Sequence, residues 1–199
     1  MHKILRALIL SDLFILGSFG LIQPIFAVFM LKNITGTTLT AIGVATTIQL
    51  VTKAIFQIIV GKWTDKEKGN KRELYTLFVG SLIMSIVPFF YLLTSSLSHV
   101  YLLQFAYGLG GALVFPGWMV IYMRYSRDEK AGYEWSVYNT VISFGSAAAA
   151  FLGAYIADIY SFSHIFIGVG ILSLVGASFI VHVFRHEFTK GWVGHVNKI

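Results

Sequence analysis

The sequence contains no cysteine, which excludes a disulfide framework, a thiolate metal site and a cysteine nucleophile. Charged residues are scarce, at 12% of the 199 residues, and no linker or low-complexity tract divides the chain. Alternation of apolar and polar residues at period two is also absent, which argues against a membrane β-barrel. We therefore expect one domain over residues 1–199, with almost nothing left over for a soluble fold.

Hydrophobic residues, by contrast, make up 56% of the chain and gather in six long stretches. The stretches cover residues 7–31, 38–60, 74–94, 99–123, 135–157 and 164–184. Each is close to or above the about 20 residues that cross a hydrocarbon core as an α-helix. A helix is expected because lipid cannot hydrogen-bond free backbone groups. We predict an all-α integral membrane protein with six transmembrane helices and a tail at residues 185–199.

The basic residues are distributed unevenly between the two sides of these stretches. All Lys and Arg other than Lys32 and Lys53 lie at the N-terminus, after the second or fourth stretch, or in the tail. The positive-inside rule assigns that side to the cytoplasm, so both termini should be cytoplasmic. We expect a multi-pass protein of a bacterial or archaeal inner membrane. The net charge of +6 reflects this sidedness and not nucleic-acid binding, because no basic soluble face remains.

The first and fourth stretches share a pattern of small residues followed by a proline. The matching positions are Gly17, Gly20 and Pro24 in the first stretch and Gly108, Gly111 and Pro116 in the fourth. The two stretches should run in opposite directions, so a three-helix unit repeated in inverted orientation would produce this pattern, as in many secondary transporters. Gly and Pro are also simply frequent in membrane helices, which leaves the repeat open. We assign Pro24 and Pro116 as candidate hinges.

The loop after the second stretch reads GKWTDKEKGNKR from Gly61 to Arg72. A glycine ends the helix, an aspartate follows four residues later, and a basic residue, a glycine and a basic cluster come next. The residues of this pattern are Gly61, Asp65, Lys66, Gly69, Lys71 and Arg72. It resembles the signature loop of the major facilitator superfamily. The fourth stretch resembles the second motif of that family, with Gln104 at a position where the family usually has arginine.

The resemblance covers residues 5–185 and implies the N-terminal half of a family whose members normally have twelve helices in two halves. It implies a secondary active transporter that moves a small solute by alternating access. It also implies that Asp65 latches onto the start of a helix in the other half, near Tyr133 to Ser136 if that half is a second copy. A parallel homodimer is the arrangement we expect. The alternatives are a second half from another polypeptide, and a truncated or scaffold protein that does not transport.

Small residues in the fifth stretch, from Ser143 to Ala157, share a helix face. Such a face lets helix backbones approach closely in lipid. It fits either packing inside one bundle or contact with the second half.

Polar side chains at membrane depth define the candidate solute cavity. They are Asp12, Gln23, Gln49, Lys53, Gln104, Tyr107 and Asn139. Such residues usually face a bundle interior or a water-filled cavity, although hydrogen bonds between helices would also explain them. Asp12 and Lys53 lie at similar depths, so we hypothesise an ion pair; the alternative is that each reaches cytoplasmic water separately.

Motifs of intramembrane enzymes are missing. The Gly-x-Ser-Gly of serine rhomboids and the His-Glu-x-x-His of zinc proteases do not occur. We therefore expect no enzyme, no catalytic residues, no cofactor and no metal. The expected partners are a small solute, the lipid bilayer and a second six-helix half.

Overall fold

The structure, a computed structural model, describes residues 1–66 and 71–189, without the side chains of Lys71, His182 and residues 184–189. All regular secondary structure in these residues is helical. The helices are α1 Lys3–Phe19, α2 Phe26–Asn33, α3 Leu39–Thr64, α4 Lys71–Phe90, α5 Leu97–Tyr125, α6 Ala131–Ile159 and α7 Phe162–Thr189. Short 3₁₀ turns follow α4 at Tyr91–Leu93 and precede α6 at Asp128–Lys130.

The first predicted helix is not continuous, which corrects the expectation of one span over residues 7–31. α1 ends at Phe19 and α2 begins only at Phe26. The backbone N–H groups of residues 20–22 bond to carbonyls three residues back, which tightens the chain into turns ahead of Pro24. Proline lacks an N–H and disfavours helical geometry at the residue before it, so the break falls where Pro24 requires it.

The other five predicted helices are present, with ends shifted by a few residues. Within the described residues, five helical segments are long and apolar enough to cross a membrane, and these are the helices α3 to α7. Pro116 lies inside α5 without interrupting it, unlike Pro24. Gly36, at a φ of 78°, provides the left-handed turn between α2 and α3. The Thr38 hydroxyl then accepts a hydrogen bond from the Ala41 N–H at 3.1 Å and caps α3.

The helices pack in a paired arrangement. α3 and α4 lie along α5, α6 and α7 lie along α1, and α4 and α7 pack against each other. Close approach depends on glycine at the seams. A Cβ on Gly20 would lie 2.7 Å from the Ser146 carbonyl oxygen of α6, and one on Gly108 would overlap the Gln49 carbonyl oxygen of α3. Small residues at such positions allow helices to associate in lipid through backbone contact.

The flanking helices α3 and α6 are the least covered. In the most apolar segment of α6 only 6% of the residues are buried, and in that of α3 only 11%, compared with 50% of the residues in the α4 segment. α3 packs chiefly on α5, and α6 packs chiefly on α1, so each of these two helices leaves most of its surface uncovered.

Candidate functional site

The described part of the signature loop joins the end of α3 to the start of α4. The Asp65 N–H bonds to the Gly61 carbonyl oxygen at 3.0 Å, and the Asp65 side chain is exposed. The Arg72 guanidinium donates to the Trp63 carbonyl oxygen at 3.0 Å and lies 4.9 Å from the centre of the Trp63 ring. Lys66 is exposed. Gly69 and the side chain of Lys71 lie outside the described residues, so the predicted latch rests on Asp65.

Glu134, which the sequence did not single out, is a buried carboxylate held by several partners. It is 2% exposed. It accepts hydrogen bonds from the Ser126 hydroxyl and from the Arg127 backbone N–H, both at 3.2 Å. The Arg127 guanidinium and the Met1 ammonium lie 3.7 and 3.6 Å from it. An acidic residue in the first turn of a helix, here α6, is favourable on its own, and this signal was available in the sequence.

Asp12 joins α1 to α6. The Tyr138 hydroxyl donates a hydrogen bond of 2.8 Å to the Asp12 carboxylate, which is buried. Lys53 lies elsewhere: its ammonium nitrogen is 5.4 Å from the centre of the Phe115 ring on α5. The hypothesised ion pair between Asp12 and Lys53 is therefore not formed in this structure, because each side chain is held by a different neighbouring helix.

Four aromatic rings fill the space between α5 and α6 beside Asp12. They belong to Trp118, Tyr122, Trp135 and Tyr138. Centre-to-centre distances include 5.1 Å between Trp118 and Tyr122 and 5.2 Å between Trp135 and Tyr138. Trp118 is buried, and its indole N–H has no hydrogen-bond partner among the residues that the structure describes. We call these four residues the ring cluster; Tyr138 connects it directly to Asp12.

The remaining predicted cavity residues fall into separate places. Gln49 is half-buried on α3 and Gln104 is buried on α5. The Tyr107 ring packs at a tilt against the Phe19 ring of α1, with 4.4 Å between the ring centres. Gln23 is exposed in the turn between α1 and α2.

Asn139 is exposed on α6, and its side-chain amide donates to the Trp135 carbonyl oxygen at 3.0 Å. The Asn139 side chain therefore bonds within its own helix and not to another helix. Within the described residues, no group of three or more His, Cys, Asp or Glu side chains is placed to hold a metal ion.

A bundle in which five of the described helices are long and apolar enough to cross a membrane is that of an integral membrane protein. Residues 8–196 match the family described as Major Facilitator Superfamily, and the chain belongs to that family. This confirms the resemblance noted at Gly61 to Arg72. Members of the family are transporters and not enzymes, which places the chain among membrane transporters. A comparison with curated proteins found no match to this chain.

Proposed function

We propose that the chain is one six-helix lobe of a secondary transporter, which moves a small solute by alternating access together with a second lobe. The observation that carries this proposal is the low burial of α3 and α6, each of which packs chiefly on one neighbour, α5 and α1 respectively. In a lobe that works with another lobe, these are the surfaces that would meet it or line the path between the two.

The packing supports two inverted three-helix units, counting α1 and α2 as one broken span. α3 packs on α5 as α6 packs on α1, and α4 packs on α5 as α7 packs on α1. Exchange of the two units therefore reproduces the same set of neighbours. Inverted repeats with discontinuous helices are a common plan of secondary transporters, and the pathway lies between the repeats.

The exposed surface of α6 favours a protein neighbour over lipid alone. Thr140, Ser143 and Ala147 are exposed on it, together with the large side chains of Phe144 and Phe151. Small and hydroxyl-bearing residues are typical of contacts between membrane helices, where backbones approach closely. A second copy in the same orientation, related by a two-fold axis along the membrane normal, would place this surface against an equivalent lobe.

The two surfaces that would meet in the proposed latch, the end of α3 and the start of α6, are both exposed. Asp65 is exposed at the end of α3, and Tyr133 and Ser136 are exposed in the first turns of α6. A carboxylate near the start of a helix is favoured by the free N–H groups and by the helix dipole. Glu134, which lies in the same turn, is already paired with Arg127, so it does not leave a free negative charge to repel Asp65.

Crosslinking in lipid tests the second lobe. The chain has no native cysteine, so single-cysteine variants carry no background. Ser143→Cys and Ala147→Cys should form disulfide-linked dimers in liposomes. Ile171→Cys is the matched control, because Ile171 is exposed on α7, which is not part of the proposed contact. Crosslinks that form through Ile171 and not through α6 would contradict the proposed arrangement.

Counterflow in the same liposomes tests transport. Vesicles preloaded with unlabelled solutes from a defined panel of sugars, amino acids and monocarboxylates should accumulate the labelled form of at least one. The Ala147→Cys crosslink should stop this exchange, and reduction should restore it. A protein that forms the crosslinked dimer but, after reduction of the disulfide, still exchanges no solute better than empty liposomes would count for a scaffold and against a transporter.

A further inference from the structure

Lys53 places a basic group near the middle of a membrane-spanning helix. α3 has 26 residues, which corresponds to a length of about 39 Å. Lys53 stands eleven residues before Thr64, at about 16 Å from the helix end along its axis. The apolar stretch itself ends near residue 60, seven residues or about 10 Å along the axis from Lys53, which is still beyond the reach of an extended lysine side chain. A charge at this depth is expensive unless it meets water or an opposite charge, and it therefore marks a functional position.

The neighbours of Lys53 leave its charge uncompensated. Its Cδ lies 3.4 Å from the position that a Cβ on Gly111 would take, so the carbon chain rests on α5. The ammonium nitrogen lies over the Phe115 ring, and an aromatic face offsets only part of the lost hydration. Within residues 1–66 and 71–189, no described carboxylate lies within 4.0 Å of it. Asp12, the carboxylate at similar depth, is bonded to Tyr138 on α6.

Two glutamines add hydrogen-bond donors on the same seam between α3 and α5. Gln49 lies one turn before Lys53, where α3 touches Gly108. Gln104 lies one turn before Gly108 on α5. Neither glutamine side chain forms a hydrogen bond to protein within the described residues. Amide N–H groups donate to carboxylate or phosphate oxygens and to polar groups of an organic solute, and bonds to an ionised oxygen are stronger than neutral ones.

Building on the transport function proposed above, we propose that Lys53 binds the negatively charged group of an organic anion, with Gln49 and Gln104 further along the same seam as hydrogen-bond donors to the rest of the solute. The lysine supplies the charge, and the two amides supply hydrogen bonds that favour a polar organic solute over a simple halide.

A charge-sensitive labelling experiment tests this site without knowledge of the solute. Gln57→Cys is the first reporter, because residues four apart on a helix have Cβ atoms about 5–6 Å apart and Gln57 is not part of the site. Its reaction rate is measured in liposomes with a negatively charged and a positively charged methanethiosulfonate of similar size. A single charge at about 6 Å in a water-like medium changes the ratio of the two rates by about tenfold.

The expected result is a preference for the negative reagent that falls about tenfold with Lys53→Gln and persists with Lys53→Arg. Gln49→Cys, on the other side of Lys53, is the second reporter and should respond in the same way. His99→Cys is the control for folding and for general surface charge. It is exposed in the first turn of α5, about 18 Å along that helix from Gly111, so its ratio should not change.

Two results would overturn the site. One is an unchanged ratio at both reporters in Lys53→Gln, which would mean that the lysine is neutral or shielded. The other is the failure of both reporters to react while His99→Cys does, which would mean that water does not enter. Solute exchange without the charge effect would leave the transport function standing and remove the anion site. The charge effect without exchange would leave a binding site and remove transport.

Discussion

Replacement of Tyr138 by phenylalanine should weaken the junction between α1 and α6, because it removes the only donor that the structure shows for the buried Asp12 carboxyl. A buried acceptor left without its partner costs about 1–3 kcal/mol. Hydrogen bonds between membrane helices measured as pairs average about 0.6 kcal/mol and reach about 1.7. Since this bond is short, at 2.8 Å, and its acceptor is 6% exposed, we expect a loss of about 1–2 kcal/mol in the free energy of unfolding.

The assay is reversible unfolding in mixed micelles, followed through the helical signal in circular dichroism. Tyr155→Phe is the matched control, because Tyr155 lies on the same helix, is 55% exposed and has no hydrogen bond within the described residues. Its effect should stay within about 0.5 kcal/mol. Asp12→Leu alone should cost as much as Tyr138→Phe, while the double variant should recover part of that loss, because two apolar partners leave nothing unpaired. If Tyr138→Phe costs no more than Tyr155→Phe, the bond does not hold the two helices together.

Two further predictions concern the helix seams and the start of α6. Gly108→Ala should destabilise the chain by about 1–3 kcal/mol, because the added methyl group overlaps the Gln49 carbonyl oxygen; Gly43→Ala on α3, where nothing lies within 4 Å, should be neutral or stabilising in the same unfolding assay. Glu134→Gln should speed hydrogen exchange over residues 126–134, because it weakens the pairing with Arg127, whereas Glu129→Gln, at an exposed position, should not. Equal exchange in the two variants would mean that Glu134 does not hold this end of α6.

Of the six spans predicted from hydropathy, five correspond to continuous helices, because each crossing needs a long apolar run whatever its neighbours are. The remaining prediction, residues 7–31, joined α1 and α2, since the average hydropathy of that stretch hides the effect of one proline. Pro24 had been noted as a hinge, but the tightened turns at residues 20–22 depend on backbone bonding that hydropathy does not report. A proline in an apolar stretch does not by itself predict a break in the helix, because α5 continues through Pro116.

The candidate site was harder to predict for a different reason. Helix periodicity gives the face on which a residue lies but not the helix that this face meets. Asp12 and Lys53 were grouped by depth, yet Asp12 bonds to Tyr138, 126 residues away, and Lys53 rests on α5. Glu134 could have been found from its place in the first turn of α6, but its burial follows from the arrangement of three chain segments and not from its neighbours in sequence.

The ring cluster gives the chain a built-in optical probe. The chain has four tryptophans, and two of them, Trp118 and Trp135, belong to the ring cluster. Their ring centres are 6.1 Å apart; Trp118 is buried and Trp135 is 40% exposed. Any motion that separates α5 from α6 would change the polarity around both indoles and shift their emission. Fluorescence of the unlabelled protein, compared with a Trp135→Phe variant, would therefore follow the opening of this junction as conditions or solutes are changed.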